Sequence, residues 1–277
     1  MKQIPVEIAL RAFVRPRASQ VWVDSKHRAR QWKRGWRSCR FGERAVIFDI
    51  ETTVDERLAP LHGHYQVRVQ DQLEEEGVIA FDGVPDTQAD LPYEWAVEQG
   101  VKCIHRDEFV EEILFGEVYR LGALCIGFRL PYDLSRIALA AGYGRGSHRR
   151  AFTFYLSRNP WRPRLRIETI SSRAQFIEFV PATKNVAHFF SGRFLDLYTL
   201  TSVFTGESHT LRSAGVEFRA DVLKTDFEDF GKITRESLEY CRNDVAATWS
   251  LYERLREEYA LYAFASFENE FAQRHGH

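Results

Sequence analysis

The spacing of apolar residues changes several times along this chain, and each change marks an element. Ile4 to Phe13 and Val21 to Val23 alternate only in part and are broken by Arg15-Pro16-Arg17, which predicts a short hairpin. Lys26 to Arg40 is polar and basic. Ala45-Val46-Ile47-Phe48 then runs without interruption into Asp49-Ile50-Glu51, a buried strand with two carboxylates at its end. Tyr65–Val69 and Val78–Phe81 predict two further strands of a meander joined through the acidic turn Glu74-Glu75-Glu76-Gly77, and Pro85 to Pro92 reads as loop. From Asp107 to Leu121 the apolar positions Phe109, Val110, Ile113, Leu114, Val118 and Leu121 recur at helical spacing, with Asp107 as the expected N-cap. Ala123 to Phe128 is a short continuous apolar run, as in a central strand. Pro131-Tyr132-Asp133 opens a helix expected to reach about Ala141 and to stop at Gly142.

Residues 143–182 break this rhythm. Gly144, Gly146 and the basic His148-Arg149-Arg150 precede three β-like pieces, Ala151–Leu156, Leu165–Ile170 and Gln175–Val180, which together predict an inserted β-hairpin region. Its arginines, Arg158, Arg162, Arg164 and Arg166, either track a phosphate backbone or belong to a solvated hairpin. Arg193 to Leu197 resumes the strand pattern, followed by a helix to about Phe204, a turn at Gly206, a helix from His209 to Phe218 and an acidic loop from Asp226 to Asp229. Thr234 is the expected cap of a long helix that carries Glu236 near its start and passes through Tyr240, Asp244, Trp249 and Leu255. Strand, strand, strand, helix, strand, helix predicts an α/β architecture, a mixed sheet with helices on its faces.

With 277 residues, 44% of them hydrophobic and 14% aromatic, the chain can bury a large core in one α/β domain or two small ones. It has no run of about 18 apolar residues, and Met1-Lys2-Gln3-Ile4-Pro5 lacks the apolar region of a signal peptide, so a cytoplasmic protein with no membrane partner is expected. Cys39, Cys103, Cys125 and Cys241 lie far apart with no C-x-x-C pair, a pattern of free thiols rather than of a zinc site or a disulfide framework. The net charge of −1 conceals an asymmetry. Residues 1–44 hold 12 Lys or Arg against three acids, a net +9, which leaves −10 on the remainder. Residues 1–44 are therefore set apart as a basic N-terminal extension to a domain spanning 45–277. Trp22, Trp32 and Trp36 lie in or beside the basic stretch, where indoles can stack on bases while cations hold phosphates. The same residues also suit a segment anchored to the core, a solvated tail or a protein partner.

Alternation along a strand places Asp49 and Glu51 on one side. Two like charges held together on an apolar strand repel each other and lose water, and a divalent cation between them is the usual remedy. Asp133 follows the central strand by a few residues and so falls near the same sheet edge. Asp244 lies one helical turn after Tyr240, on the same helix face. Taken singly these are ordinary residues, since Asp-x-Glu pairs arise by chance and an Asp at a helix start is usually a cap.

Together they resemble something known. Phe48-Asp49-Ile50-Glu51-Thr52, Leu130-Pro131-Tyr132-Asp133-Leu134-Ser135 and Tyr240-x-x-x-Asp244 resemble the three exonuclease motifs of the DnaQ-like superfamily in its tyrosine form (DEDDy). The resemblance is closest to the 3′–5′ proofreading exonuclease domain of family B DNA polymerases, in which Gly192 to Leu197 also looks like a recurring strand. It spans roughly residues 45–258 and implies an RNase H-like fold with a mixed five-stranded sheet, two Mg²⁺ or Mn²⁺ ions, and hydrolysis of phosphodiesters from a 3′ end. Two ions about 3.5–4 Å apart stabilise the attacking and leaving oxygens of such a reaction, and oxygen-rich ligand sets suit them. The implied metal ligands are Asp49, Glu51, Asp133 and Asp244: Asp49 bridges, Glu51 and Asp244 hold the ion that activates water, and Asp133 helps to hold the second. Tyr240 is the expected orienter of the nucleophile. Thr52, Arg129 and Tyr132 are the expected substrate contacts, and Asp196 is expected to be structural rather than a ligand. One departure is plain: Phe128 and Arg129 stand where the second motif commonly carries an Asn. The expected partner is single-stranded or frayed DNA, with an RNA 3′–5′ exonuclease or a catalytically inert nucleic-acid-binding or scaffold module as the alternatives.

Overall fold

The computed structural model describes residues 43–144, 151–171, 174–183 and 190–261. The expected N-terminal hairpin, the basic Lys26–Arg40 segment and the His148-Arg149-Arg150 loop lie outside the described residues.

β1 (Arg44–Thr52) is central to a mixed sheet because both of its faces are apolar. Val46, Phe48 and Ile50 point into one core layer and Ala45 and Ile47 into the other. β2 (Pro60–Val69) pairs antiparallel with β1, and β3 (Gln72–Ala80) antiparallel with β2. Gln70 and Asp71, both at positive φ, make the turn between β2 and β3, so the acidic run Glu74-Glu75-Glu76 lies inside β3 rather than forming the connection. β2 also begins earlier than its hydrophobic run suggests, at Pro60.

The stretch expected to be loop contains α1 (Asp86–Ala89) and the start of α2 (Leu91–Gln99), whose Trp95 and Ala96 are buried against Leu61, Val78 and Leu238. β4 (Lys102–His105) follows and adds a strand the sequence reading lacks. Among the described residues the main sheet therefore has six strands rather than five, in the order β10-β5-β1-β2-β3-β4. Four residues with one buried apolar side chain, Ile104, are too short a pattern to read as a strand.

α3 (Arg106–Glu108) continues directly as a π-helix (Phe109–Leu121) instead of the α-helix expected here. Its cap is His105, whose ring nitrogen accepts from the Asp107 amide, so Asp107 is not the N-cap. Buried Phe109, Val110, Ile113, Leu114 and Val118 stand four and five residues apart, spacings that share a face when hydrogen bonds run i→i+5. β5 (Leu124–Gly127) runs parallel to β1, and α4 (Leu130–Arg136) ends well short of Ala141 because Ala140 begins β6 (Ala140–Tyr143).

β6, β7 (Ala151–Tyr155), β8 (Arg164–Ser171) and β9 (Ala174–Val180) form a second, antiparallel sheet in that order. It is no detached hairpin: Leu165, Ile167, Ile177 and Phe179 pack into the same core layer as Phe48, Phe115 and Phe194. The arginines considered for a phosphate track each have a partner within the protein. Arg166 pairs with Glu178, Arg162 with Glu111, Arg158 stands 3.9 Å from Asp107, and Arg164 lies over the Tyr155 ring. β10 (Arg193–Asp196) closes the main sheet parallel to β5. α5 (Leu197–Thr205), α6 (Leu211–Glu217) and α7 (Arg235–Leu261) cover its second face through Leu200, Leu211, Val245, Leu251 and Leu255. α6 is capped by Thr210 rather than starting at His209, and Thr234 caps α7 by accepting from the Ser237 amide at 3.0 Å. No described helix is long and apolar enough to cross a membrane.

Candidate metal centre

Strand alternation carries the Ala45/Ile47 face of β1 on to Asp49 and Glu51, so both carboxylates leave the sheet on the side that α7 covers. β2 must lie close against them. A Cβ on Gly63 would stand 2.7 Å from the Asp49 carbonyl oxygen and 2.5 Å from Ile50 Cδ1, so only glycine allows this approach.

Three parallel strands, β1, β5 and β10, end at the same edge, and each end supplies a carboxylate or places one. After β5 the chain turns through Arg129, at φ 65°, into α4, which carries Asp133. Asp133 is buried, and its Oδ1 accepts the Ile50 amide at 3.3 Å, between the two carboxylates of β1. The end of β10 supplies Asp196. Its Oδ1 accepts the Arg129 and Leu130 amides at 2.8 and 3.1 Å, and its Oδ2 accepts the Thr199 amide and hydroxyl at 3.3 and 2.8 Å. Asp196 thus caps α5 and fixes the start of α4, a positioning role that occupies both oxygens.

From the other side α7 lowers Tyr240, Cys241 and Asp244 onto the edge. Cys241 Sγ lies 3.6 Å from the Asp49 carbonyl and 3.8 Å from Asp49 Oδ2. One donor atom from each of Asp49, Glu51 and Cys241 falls within 4.8 Å of the others, a cluster able to hold a metal ion. Asp244 is 2% exposed; its Oδ2 is ion-paired with Lys224, while its Oδ1 is buried without a hydrogen-bond partner. The Lys224 ammonium also lies 4.6 Å from the Tyr240 ring centroid. Phe227 stacks on that ring at 4.8 Å, and Phe230 meets it edge-on.

α7 is held in place from below. His62 and His64 are the cross-strand partners of Glu51 and Asp49. His62 Nε2 meets Ser237 Oγ at 3.1 Å, and His64 Nε2 meets Glu76 Oε1 at 3.0 Å. Arg242 donates to the same Glu76 at 2.8 Å. Burial lowers both histidines, His62 to about 3, so they stay neutral and add no cation to the edge.

Burial and then charge account for the state of the acids. Burial, then the charges of Asp49 and Asp244, raise Glu51 to about 8. Burial and the Asp49 charge raise Asp244 to about 7 despite Lys224. Asp133 rises well above the carboxylate range through burial and then Asp49. Although Asp49 keeps some exposed area, its carboxylate is enclosed by protein, and this burial raises it against the opposing pull of Lys224. For Lys224 itself burial acts downward, but the Asp244 carboxylate outweighs it and holds the ammonium above its ordinary range. Four acids share one site with a single lysine among the residues acting on them, so the cluster lacks positive charge. A divalent cation fits that deficit, the convergent donors and the unpartnered Asp244 oxygen.

All of Asp49, Glu51, Asp133, Tyr240 and Asp244 are thus brought to one edge. Thr52 and Tyr132 meet at its rim through hydroxyls 2.9 Å apart. Arg129 instead lies over the Tyr198 ring, 4.9 Å from its centroid. Lys224 and Cys241 are the residues that reading the sequence missed. Cys241 had a signal, three positions before Asp244 and so on the same helix face; Lys224, in an irregular segment, had none.

No family model matches this chain, and no curated protein matches it. Among solved structures, phi29 DNA polymerase complexed with single-stranded DNA aligns with 84% of this chain and 34% of that one, at 12% sequence identity and a TM-score of 0.39. The chain spans about a third of that polymerase's length.

Proposed function

We propose that the protein is a metal-dependent 3′–5′ exonuclease with an RNase H-like fold that removes nucleotides from the 3′ end of single-stranded or frayed DNA. The observation that carries this reading is the convergence of Asp49, Glu51, Asp133 and Asp244, from three separate elements, on one sheet edge where their pKa values are all raised. Two Mg²⁺ or Mn²⁺ ions held there would stabilise charge on the attacking and leaving oxygens of a phosphodiester. Asp49, central to the others, would serve both ions, with Glu51 and Asp244 helping to hold one and Asp133 the other. The Tyr240 hydroxyl, on a ring packed by the Lys224 ammonium and by Phe227, would orient the attacking water. Thr52 and Tyr132, at the rim, meet the terminal nucleotide.

The test is a set of labelled DNA and RNA strands of one sequence, incubated with purified protein and Mn²⁺. A ladder shortening from the 3′ end, abolished by chelator and by Asp49→Ala, is expected with DNA. A ladder with RNA alone would reassign the substrate, and full activity of Asp49→Ala or in excess chelator would remove the metal mechanism. Tyr240→Phe is expected to slow hydrolysis while Mn²⁺ still binds, and an unchanged rate would refute the role given to that hydroxyl.

A further inference from the structure

Among the described residues there are three free cysteines, and Cys241 is unlike the other two. Cys125 lies among apolar side chains of the first core layer, and Cys103 packs beside the Trp95 cluster. Cys241, fully buried, instead directs its sulfur at Asp49, with the Asp49 carboxylate 3.8 Å away and a Glu51 oxygen within 4.8 Å. On the same face of α7 Asp244 adds a buried carboxylate oxygen with no hydrogen-bond partner. Two carboxylates, a thiol and an unsatisfied carboxylate oxygen therefore converge from β1 and α7.

We propose that Cys241 is a ligand for thiophilic divalent cations at this centre, so that zinc, cadmium or cobalt is held by sulfur together with Asp49 and Glu51, whereas Mg²⁺ uses the carboxylates alone. The proposal rests on the reading of this edge as a metal centre and adds a second, chemically distinct mode of occupancy. Hard Mg²⁺ takes oxygen ligands and does not recruit sulfur. Zinc takes thiolate and carboxylate in the same small coordination sphere, and soft thiolates favour it further. In the binding step the S–H bond breaks, the metal–sulfur bond forms and the proton passes to solvent, with no change of oxidation state. A thiophilic ion held in this way gains a ligand that Mg²⁺ lacks and so displaces it, and the enzyme is inhibited by zinc or cadmium.

The test uses the full chain and Co²⁺ as the probe. Titration of wild type should give a thiolate-to-cobalt charge-transfer band, which Cys241→Ser loses while Co²⁺ binding, followed by calorimetry, persists. Cys241→Ser should also weaken Cd²⁺ binding by about tenfold or more, the low end of what even an outer partner contributes to a metal site, and leave Mg²⁺ binding unchanged. Cadmium NMR on the wild-type protein needs no variant and should report sulfur coordination. Co²⁺ binding without the band, a band that survives Cys241→Ser, or an all-oxygen cadmium signal would each overturn the assignment of Cys241 while leaving the carboxylate centre standing. Failure of the wild type to bind Co²⁺ or Mn²⁺ at all would overturn the centre itself, and this proposal with it.

Discussion

Replacing Asp49 with asparagine keeps the side chain's volume and removes one negative charge from the middle of the cluster. A Glu51 oxygen lies within 4.8 Å of Asp49, a separation at which two unit charges repel by about 3–4 kcal/mol at an effective dielectric of 20. Burial is the larger cause of the raised values of Glu51 and Asp244 and is not relieved by the change. The attraction of Asp49 to Lys224 is lost as well. The net gain expected for the metal-free protein at about pH 9 is thus roughly 1–3 kcal/mol, or about 2–10 °C in Tm for a chain of this size. The sign follows from proton uptake. Acids raised in the folded state retain protons that the unfolded chain has released, so their contribution to stability is complete below about pH 4 and is lost as pH rises through 7 and 8. Wild type in chelator should therefore melt progressively lower across that interval, and Asp49→Asn should flatten the decline. Thermal melts followed by circular dichroism in chelator, at about pH 5 and about pH 9, with and without Mn²⁺, are sufficient. Mn²⁺ should raise the wild-type Tm and leave the variant unmoved. A variant that melts at or below wild type in chelator at high pH would refute the electrostatic account.

Lys224→Gln should lower hydrolysis at least about tenfold by removing the cation packed on the Tyr240 ring and so loosening its hydroxyl, since general acid–base groups typically contribute more than that. It should leave Mn²⁺ affinity equal or tighter, because the competing cation on Asp244 is gone; parallel loss of affinity and rate would show Lys224 to be a structural brace only. Asp196→Ala frees three amides at the starts of α4 and α5 and should cost about 2–4 kcal/mol by denaturant unfolding, with weaker Mn²⁺ binding through Asp133. Full Mn²⁺ affinity in a folded Asp196→Ala protein would separate Asp196 from the site. Neutralising Arg28, Arg30, Lys33 and Arg34 together should weaken strand binding and lower its dependence on salt by about one unit of slope per lost phosphate contact. Unchanged binding would leave that segment to a protein partner or to no role at all.

Where the sequence was legible, the physical pattern was short-range. β1, β5, β10 and α7 each declare themselves by a continuous apolar run or a helical period, and the acids at their ends follow from those boundaries. The rest failed for separate reasons. β4 has only four residues, α1 and α2 carry too little apolar periodicity to outweigh Pro85 and Pro92, and the π-helix differs from an α-helix only in which turn its hydrogen bonds reach. The end of α4 was misplaced because Ala138 to Ala141 is a good helix-forming run, whereas pairing of Ala140 with Tyr155 draws it into the second sheet. Lys224 could not be seen at all, because its partners Asp244 and Tyr240 come from an element that starts eleven residues later.

The acids of the site are held together against their own repulsion by attachments that do not involve them. α7 is tied to β2 by Ser237 on His62, to β3 by Arg242 on Glu76, and to the β2–β3 turn by Arg256 on Asp71 at 2.8 Å. β1 is fixed by apolar packing on both faces and by the close approach at Gly63. Each attachment is worth about a kcal/mol or a few, small beside the core yet spread along the helix that carries Tyr240, Cys241 and Asp244. Cutting one should therefore leave the protein folded while letting α7 drift from β1. Loss of metal affinity ahead of loss of stability is the behaviour this arrangement requires, and His62, His64 and Glu76, which touch no proposed ligand through a hydrogen bond, are where it would appear first.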